Sequence, residues 1–344
     1  MSAALRAVLP GPYVTIQDAG RRGWRRFGVS VSGAMDWPAL ALANTLVGNP
    51  PDTAALEFAH FGGTWEIAAE SCRIAVTGGD FALSADGVAL APWRSHTLRQ
   101  RQLLTLKGSP DAVWGYLAVA GGFDVTRQLG SCATHLRSGL GGFAGCRVAE
   151  GDVLPLRAAQ APDGPERRMA APDREGRPGR EARPGPEPGP GREASPVRVV
   201  LGPQDDFFTP DTIASFLATP WRVSHRGDRM GTWLEGPPIA HANGYNLLSD
   251  GLVPGCIQVP GSGQPVVLLM DCQTIGGFPK LATIITADLP RFTQCRPGSL
   301  VRFAAVDVEA AQAVYRDYRA VVDELQQTVE EIAAPPARPF WLRQ

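Results

Sequence analysis

Short apolar runs bounded by glycine, proline or aspartate recur along most of this chain. Runs of this length with turn residues at both ends are typical of buried β-strands. The intervals between them lack the regular helices of a parallel α/β fold, so antiparallel sheets that close into barrels or pack as sandwiches are favoured. The clearest runs cover residues 73–78, 113–122, 197–202, 265–271, 281–288 and 300–305.

Three segments predict helices instead. Asp36 can cap a helix over residues 37–47, with Gly48 as its stop. The proline and the acid that follow Thr209 begin a second helix. An amphipathic pattern from about residue 308 to 332 predicts a longer C-terminal helix. Its apolar stripe can dock on the body or pair with a partner, and docking is the simpler interpretation.

The segment 157–196 marks the clearest boundary. It holds nine prolines, six glycines and fifteen charged residues, and it has no Val, Ile, Leu, Phe, Trp or Tyr. Such a segment cannot bury enough apolar surface to offset its ordering entropy, so it predicts a disordered linker whose removal (160–194) leaves folding and activity nearly unchanged. The predicted parts are a first barrel (1–156), the linker (157–196), a second barrel (197–305) and a C-terminal helix and tail (306–344).

Composition narrows the class of protein. Hydrophobic residues make up 44% of the sequence, and the formal net charge of -1 argues against a nucleic-acid or anionic-membrane partner. The N-terminus lacks the apolar core of a signal peptide and no stretch approaches the length of a membrane span, so we expect a cytoplasmic protein. The six cysteines and five histidines are scattered without disulfide-framework or zinc-site spacing, so we expect free thiols and no bound metal.

The most informative segment is residues 264–280, where a buried-type strand leads into polar residues, a Gly-Gly pair and Lys280. Polar side chains at a strand end converge on whatever lies there, and paired glycines let backbone N–H groups approach a ligand closely. The predicted catalytic residues are Lys280, Asp271, Gln273 and Thr274, with the ammonium beside a floor formed by the other three. The alternative for Lys280 is a surface lysine after a tight turn.

Further polar residues lie at turns and strand ends in both halves. Asp36 is at a helix N-terminus, where free N–H groups suit an anion, although capping alone explains it equally well. Arginine, amide, hydroxyl and acid groups at strand ends would suit a small polar substrate that bears a carboxylate. A surface ion pair is the alternative for Arg229 with Asp228. The predicted substrate-binding residues are Gln17, Asp18, Ser32, Gly33, Asp36, Gly79, Asp80, Arg137, Arg229, Glu235, Ser249, Gln258, Gly276 and Gly277.

Nucleotide-binding motifs are missing from the sequence. It contains no G-x-x-x-x-G-K-[ST] loop and no G-x-G-x-x-G after a strand, and neither of its two lysines lies between methionines as at a biotin attachment site. If ATP or biotin chemistry is involved, another chain must contribute much of it.

Several segments in a fixed order carry a resemblance to a known family. They read T-I-Q-D-A-G-R, G-V-S-V-S-G-A-M-D, A-N-T-L-V-G-N-P, Y-L-A-V-A-G-G, D-R-M-G, E-G-P-P, G-C-I-Q-V-P, G-Q-P-V-V-L-L-M-D and Q-T-I-G-G-F-P-K, and they span about residues 8–156 and 197–305. Together they resemble the family called allophanate hydrolase subunit 2, biotin-dependent carboxyltransferase or urea amidolyase-related protein, and within it the C-subunit type of bacterial ATP-dependent 5-oxoprolinase.

The resemblance implies a mainly all-β fold of two tandem cyclophilin-like β-barrel domains with a few short helices and a C-terminal helix. It implies hydrolysis of the lactam 5-oxo-L-proline to L-glutamate, with ATP and Mg²⁺ supplied or shared by partners that resemble the B and A subunits of 5-oxoprolinase. One alternative is the carboxyltransferase component of a biotin-dependent urea or amide carboxylase. Another is a non-catalytic regulatory partner of a kinase-inhibitor-like protein.

Three positions depart from the family pattern. Cys132 and Cys272 stand where the family usually has arginines, in S-R-S-T and D-R-Q-T-T-G-G, and Gly227 replaces the serine of S-D-R-M-G. If those arginines hold an anion in relatives, this chain binds a different ligand or binds it less tightly.

Overall fold

The structure, a computed structural model, describes residues 3–172 and 195–332. The predicted fold class is confirmed, because the chain is mainly β and 18% helical. In chain order the strands are β1 Ala4–Pro10, β2 Val14–Gln17, β3 Ala55–Ala59, β4 Gly63–Ala68, β5 Ser71–Thr77, β6 Leu83–Ala85, β7 Val88–Leu90, β8 Ser95–Arg99, β9 Leu103–Leu106, β10 Trp114–Val119, β11 Val153–Pro155, β12 Glu166–Arg168, β13 Val197–Leu201, β14 Trp221–Gly227, β15 Gly231–Glu235, β16 Asp250–Gly251, β17 Cys256–Gln258, β18 Val266–Leu268, β19 Ile275–Gly276, β20 Lys280–Ile284, β21 Leu300–Val301, β22 Phe303–Ala305 and β23 Glu330–Ile332. The α-helices are α1 Trp37–Val47, α2 Pro210–Ala218, α3 Leu289–Thr293 and α4 Val308–Gln327.

Two antiparallel sheets face each other in the first barrel. Their strand orders are β11-β1-β4-β9-β6-β7 and β2-β3-β10-β5-β8. Burial alternates along β4, as expected for a strand with one face on the core, whereas every residue of β10 is buried because α1 packs on its outer face. Apolar side chains between the sheets form the core, with Trp65 and Phe58 among the largest.

The second barrel is a nearly closed eight-stranded sheet with the order β21-β14-β15-β18-β17-β20-β13-β22. β13 and β22 run parallel, and β13 is antiparallel to β20. Each half ends in a glycine turn followed by a strand, at Gly151 before β11 and at Gly298 before β21. Both halves therefore end in the same local pattern.

The helix signals read from the sequence are confirmed for α1 and α2. Asp36 Oδ1 accepts a hydrogen bond from Ala39 N, and α1 ends at Gly48, which has a left-handed conformation. The Thr209 hydroxyl accepts from Thr212 N at the start of α2. Capping is therefore one role of Asp36.

The C-terminal helix α4 docks on the first barrel, as predicted. The rings of Trp37 in α1 and Tyr318 in α4 meet edge to face, with their centroids 5.9 Å apart. The helix ends at Gln327, short of the predicted 332, because residues 330–332 pair with β12 as strand β23 and satisfy their backbone groups there. None of the described helices, α4 included, has the length and apolar content that a membrane span requires.

The first part of the predicted linker packs against the first barrel. Residues 157–172 include β12, and the Arg73 guanidinium donates hydrogen bonds to two carbonyls just before that strand, at 2.7 and 3.1 Å. Met169 is buried in the apolar cluster beneath it. The prediction of disorder is therefore wrong for 157–172, because it ignored methionine and the side chains that satisfy this backbone. Residues 173–194 lie outside the described residues.

We expect Met169→Ala to lower the free energy of unfolding by about 2 kcal/mol, because truncation of a buried methionine leaves a cavity. The control is Arg168→Ala, which removes a surface pair with Glu330 and should cost less than about 1 kcal/mol. Urea unfolding of the full chain measures both values. Equal losses of unfolding free energy in Met169→Ala and Arg168→Ala would support a disordered segment. Because 157–172 packs on the first barrel, we expect deletion of 160–194 to destabilise the fold.

One apolar cluster continues through both barrels. It joins α1 and the outer face of β10 to the interior of the second barrel, and it includes Leu325 of α4. Because protein interiors are close-packed, this continuous contact holds the barrels in one relative orientation.

Candidate functional site

Arg229 makes a buried polar contact between the barrels. Its side chain is 1% exposed, and its Nε and Nη2 donate to both oxygens of Asp271 at 2.9 and 3.0 Å. Nη1 donates to the carboxylate of Glu57 in the first barrel, and Nη2 also donates to Gly33 O at 2.6 Å. We call Arg229, Asp271 and Glu57 the inter-barrel cluster.

Burial and charge act in opposite directions on the pKa values of Arg229 and Glu57. Burial by itself lowers the pKa of Arg229, but Asp271 and Glu57 raise it by more. The pKa of Glu57 is raised because burial outweighs the opposing effects of Arg229 and of the hydrogen bonds from Met35 N and Tyr116 Oη. A guanidinium between two carboxylates therefore lies at the centre of the interface, and the surface ion pair considered for Arg229 is wrong.

Local structure explains why Arg229 points inwards. Asp228 Oδ1 accepts hydrogen bonds from Met230 N at 2.7 Å and from Gly231 N, which tightens the turn between β14 and β15. Asp271 N then donates to Arg229 O at 2.8 Å, so the backbone holds the two ion-pair partners side by side.

Gln294 connects the barrels a second time. Its Oε1 accepts from Val113 N and Trp114 N at 2.9 and 2.8 Å, and its Nε2 donates to Asp36 Oδ2 at 2.8 Å. An amide can satisfy donors and acceptors at once, so this one side chain occupies a gap among backbone groups of the first barrel. Asp36 thus caps α1 and also contacts the second barrel.

Asp36 makes stability depend on pH. Burial raises its pKa from 3.8 to about 6, although hydrogen bonds from Gln294 and Ala39 oppose the rise. Because the folded pKa exceeds the unfolded one, protonation favours the fold, and stability is lost as the pH rises from about 4 to 6. We expect Asp36→Asn, which can still cap α1, to remove this loss of about 3 kcal/mol.

The measurement is the free energy of unfolding from pH 4 to 7. Asp52→Asn, at an exposed position shortly after α1, is the control and should leave the pH profile unchanged. A profile for Asp36→Asn that matches the unmodified chain would contradict the assignment.

A second network lies beside the inter-barrel cluster in the first barrel. Gln17 Nε2 donates to Thr134 O at 3.1 Å, and Gln17 Oε1 accepts from Gly33 N at 3.2 Å. Asp18 accepts from Ser131 Oγ and Cys132 N, both at 2.6 Å. The predicted residues Gln17, Asp18 and Gly33 are therefore brought together with Arg229 and Asp271.

Lys280 lies elsewhere in the second barrel. It is buried, and its Nζ donates to the Asp250 carboxylate at 2.5 Å and to Gly251 O at 2.8 Å. The prediction that its ammonium lies beside Asp271 is wrong, because Arg229 binds the Asp271 carboxylate and the register of β20 with β17 and of β16 with β19 gives Lys280 the partner Asp250 instead. Burial also argues against a surface lysine.

Several predicted residues surround Lys280. Gly276 pairs with Asp250, and Gln258 Nε2 donates to Phe278 O at 3.1 Å. A Cβ atom at Gly277 would lie 3.9 Å from Ser249 Oγ. We call this group the lysine cluster, and its members are Lys280, Asp250, Gln258, Gly276 and Gly277.

Other predicted residues occupy different surroundings. Gly79 and Asp80 form a turn against Asp111, and Glu235 accepts from Ser224 Oγ at 2.6 Å on β15. Arg137 Nη1 lies 3.7 Å from Met230 Sδ across the interface. The backbone carbonyl of Gln273 accepts a hydrogen bond from the Arg25 guanidinium. The backbone carbonyl of Thr274 accepts one from Leu252 N.

The predicted site residues omitted Glu57, Tyr116 and Gln294. Glu57 had a signal, because an acid within a continuous buried strand must find a partner. Tyr116 and Gln294 had none, since their roles depend on which faces of the two barrels meet.

Comparison with known proteins identifies the family. Residues 27–305 match the family described as carboxyltransferase domain, subdomain A and B. The chain belongs to this family. It is 34% identical over 93% of its length to 97% of the C subunit of 5-oxoprolinase from Escherichia coli, and 32% identical over 92% of its length to 96% of the same subunit from Haemophilus influenzae.

A solved structure supports the same assignment. The K. lactis urea amidolyase matches 97% of this chain with a TM-score of 0.80 and 25% identity, and the chain spans 20% of that larger protein. Both the inter-barrel cluster and the lysine cluster lie within the segment that matches the carboxyltransferase domain family.

Proposed function

We propose that this chain is a subunit of an ATP-dependent 5-oxoprolinase-type complex that hydrolyses 5-oxo-L-proline to L-glutamate. Its similarity to the C subunit of 5-oxoprolinase over almost the full length of both chains supports this. The partners are chains that resemble the B and A subunits of that enzyme, and the complex works in the cytoplasm.

The observation that supports a catalytic role is the hydrogen bonding of the Lys280 ammonium. An ammonium has three donors, and two of them are held by Asp250 and Gly251 O. The third has no partner among the described residues, next to a glycine pair whose backbone can approach a ligand. A buried, oriented cation with one free donor suits a negatively charged group of the substrate or a transferred phosphoryl group.

The reaction needs a cation that stabilises negative charge, because an amide is a poor electrophile and must be activated. Phosphorylation of the lactam oxygen by ATP releases ADP and creates a leaving group. Water then adds to the ring carbon and the C–N bond breaks, with a proton passing to the departing nitrogen, which leaves an acyl phosphate. A second water releases phosphate from this acyl phosphate as L-glutamate forms. Lys280 stabilises the charge that develops, and Gln258 and the Gly276–Gly277 backbone position the substrate.

The inter-barrel cluster has a different role in the proposed reaction. Asp271 has both oxygens engaged by Arg229, so it positions the barrels and does not act as the base. Gln273 and Thr274 follow the same strand and are available to the substrate. No three acidic, histidine or cysteine side chains converge as a metal site in the described residues, so the proposed steps use no Mg²⁺ held by this chain alone.

The test is co-expression with the products of neighbouring genes, followed by an assay of ADP release. We expect ADP release that depends on 5-oxo-L-proline and requires every subunit. A correctly assembled complex without this activity would contradict the proposal. Binding to a kinase-inhibitor-like partner without turnover would favour a regulatory role.

A carboxyltransferase that uses a biotinylated partner is the second candidate. The matched family and the likeness to urea amidolyase favour it. In that case the complex would carboxylate urea or another amide, and avidin would abolish its activity. Avidin-resistant turnover would exclude this candidate.

A further inference from the structure

Unpartnered polar atoms concentrate on one segment of the first barrel. Among the described residues, five buried side-chain nitrogen or oxygen atoms lack a hydrogen-bond partner, and three belong to Arg21, Arg25 and Ser32. We call residues 21–32 the crossing segment, because it lies against the second barrel. Ser32 N donates to Met270 O at 3.0 Å, and Arg25 donates to Gln273 O.

Among these three residues, Arg21 combines a fully buried charged side chain with an unpartnered nitrogen. Its side chain is 0% exposed, Nε donates to Gln128 O at 3.2 Å, Nη2 donates to Ala133 O, and Nη1 donates to nothing in the described part of the chain. Arg229 is equally buried, yet it binds two carboxylates. Within the described part of the chain, the Arg21 guanidinium donates hydrogen bonds only to carbonyl groups.

A buried charge is costly unless it is paired. Asp18 is the acid that most strongly raises the pKa of Arg21, but burial has the larger effect and lowers it. The Asp18 oxygens accept hydrogen bonds from Gly20 N, Ser131 Oγ and Cys132 N. The chain therefore holds a guanidinium with an unused donor and no ion-pair partner, among the described residues, at the barrel interface.

Ser32 provides a second unused group on the same segment. Its Oγ is fully buried without a partner among the described residues, and its φ of 54° lies in a region that residues other than glycine seldom adopt. Strain of this kind is maintained where the surrounding structure requires it, often at ligand sites. Arg21 N donates to Val31 O at 2.7 Å, so the two backbones are joined.

We propose that Arg21 and Ser32 bind a carboxylate group of the substrate, which supplies the negative charge that Arg21 lacks. The identification of that substrate as 5-oxo-L-proline rests on the proposed function, whereas the inference that a carboxylate binds here does not. A singly charged group fits better than a phosphate, because Asp18 and Asp271 both act on Arg21 and would repel a second negative charge.

The loop that contains Ala133 and Gly141 has to move for the ligand to enter. Ala133 O accepts a hydrogen bond from Arg21 Nη2, and a Cβ atom at Gly141 would overlap the same nitrogen. The glycine at 141 is therefore required for this close approach, and φ of 69° there adds a second reason. Entry of the carboxylate displaces this loop and pairs Nη1.

The test compares two ligands that differ in one carboxylate, 5-oxo-L-proline and 2-pyrrolidinone. Calorimetric titration of the full chain with its partner subunits measures both affinities. We expect Arg21→Met to weaken 5-oxo-L-proline binding at least about tenfold and to leave 2-pyrrolidinone binding unchanged. Arg22→Met, at an exposed neighbouring position, is the matched control and should change neither.

Thermal unfolding separates a ligand site from a structural role. Removing an unpaired buried charge should leave the Tm of Arg21→Met equal or higher, whereas a structural arginine would lower it. If Arg21→Met fails to fold, Arg21→Gln retains a donor for the carbonyl groups and tests the same loss of charge.

Acetate serves as a probe that does not depend on the reaction. We expect acetate to raise the Tm of the unmodified chain and not that of Arg21→Met, even if 5-oxo-L-proline proves not to be the substrate. Equal stabilisation by inorganic phosphate, or unchanged 5-oxo-L-proline affinity in both Arg21 variants, would overturn the proposal.

Discussion

Lys280→Met is expected to lower the turnover of the assembled complex by about a hundredfold or more. The substitution keeps the apolar stem and removes a charge that stabilises the transition state, and loss of one such donor typically has an effect of this size. Lys280→Arg should restore activity only in part, because a planar guanidinium fits poorly where a point charge is held by Asp250 and Gly251 O. Steady-state ADP release measures the effect.

The chain offers a matched control for this prediction. Lys107 is the other lysine of the sequence, and it is exposed, so Lys107→Met should leave turnover unchanged. The hydrogen bond from Lys280 is the main reason that the pKa of Asp250 is lowered to about 2. In Lys280→Met we expect that pKa to rise towards its usual value, as followed by NMR. Near-normal turnover together with this rise would restrict Lys280 to a structural role.

Arg229→Met is expected to lower the free energy of unfolding by about 3–5 kcal/mol. It leaves two buried carboxylates, Glu57 and Asp271, without the charge that compensates them, and breaking a buried ion pair has a cost of this order. The loss should shrink as the pH falls, because protonation neutralises the two acids. Urea unfolding at several pH values measures both effects.

Two further variants make the Arg229 prediction specific. Arg222→Met, at an exposed position on β14, should change stability by less than about 1 kcal/mol. Combining Arg229→Met with Glu57→Gln and Asp271→Asn should recover much of the loss, since no charge then remains unpaired. A small loss in Arg229→Met, or no recovery in the triple variant, would contradict the electrostatic explanation.

Local signals were sufficient for much of the fold. Asp36 and Gly48 identified the limits of α1, because capping depends on residues a few positions apart. Ordered motifs implied the tandem barrels and the family, which the comparison supports. The prediction for 157–172 failed because composition describes what a segment can bury by itself, and Arg73 contributes from another part of the chain.

Only part of the candidate site could be predicted from the sequence. The sequence indicated Lys280 and Arg229 as candidate site residues, and both are buried. Their partners could not be predicted: Arg229 meets Glu57 across 172 positions, and Lys280 meets Asp250 because of the register between β17 and β20. Register depends on which faces are buried, and one shift in pairing moves every side chain to the opposite face.

The sequence by itself determined the strand and helix signals, the two-barrel organisation and the residues capable of chemistry, because these follow from local propensity, apolar pattern and ordered motifs. Only the tertiary structure decided which charges are compensated. Arg21 and Arg229 look alike in the sequence, yet Arg229 reaches two carboxylates and Arg21 reaches carbonyl groups. The difference arises because burial and long-range pairing are properties of the assembled barrels, and the energy of a charge depends on both.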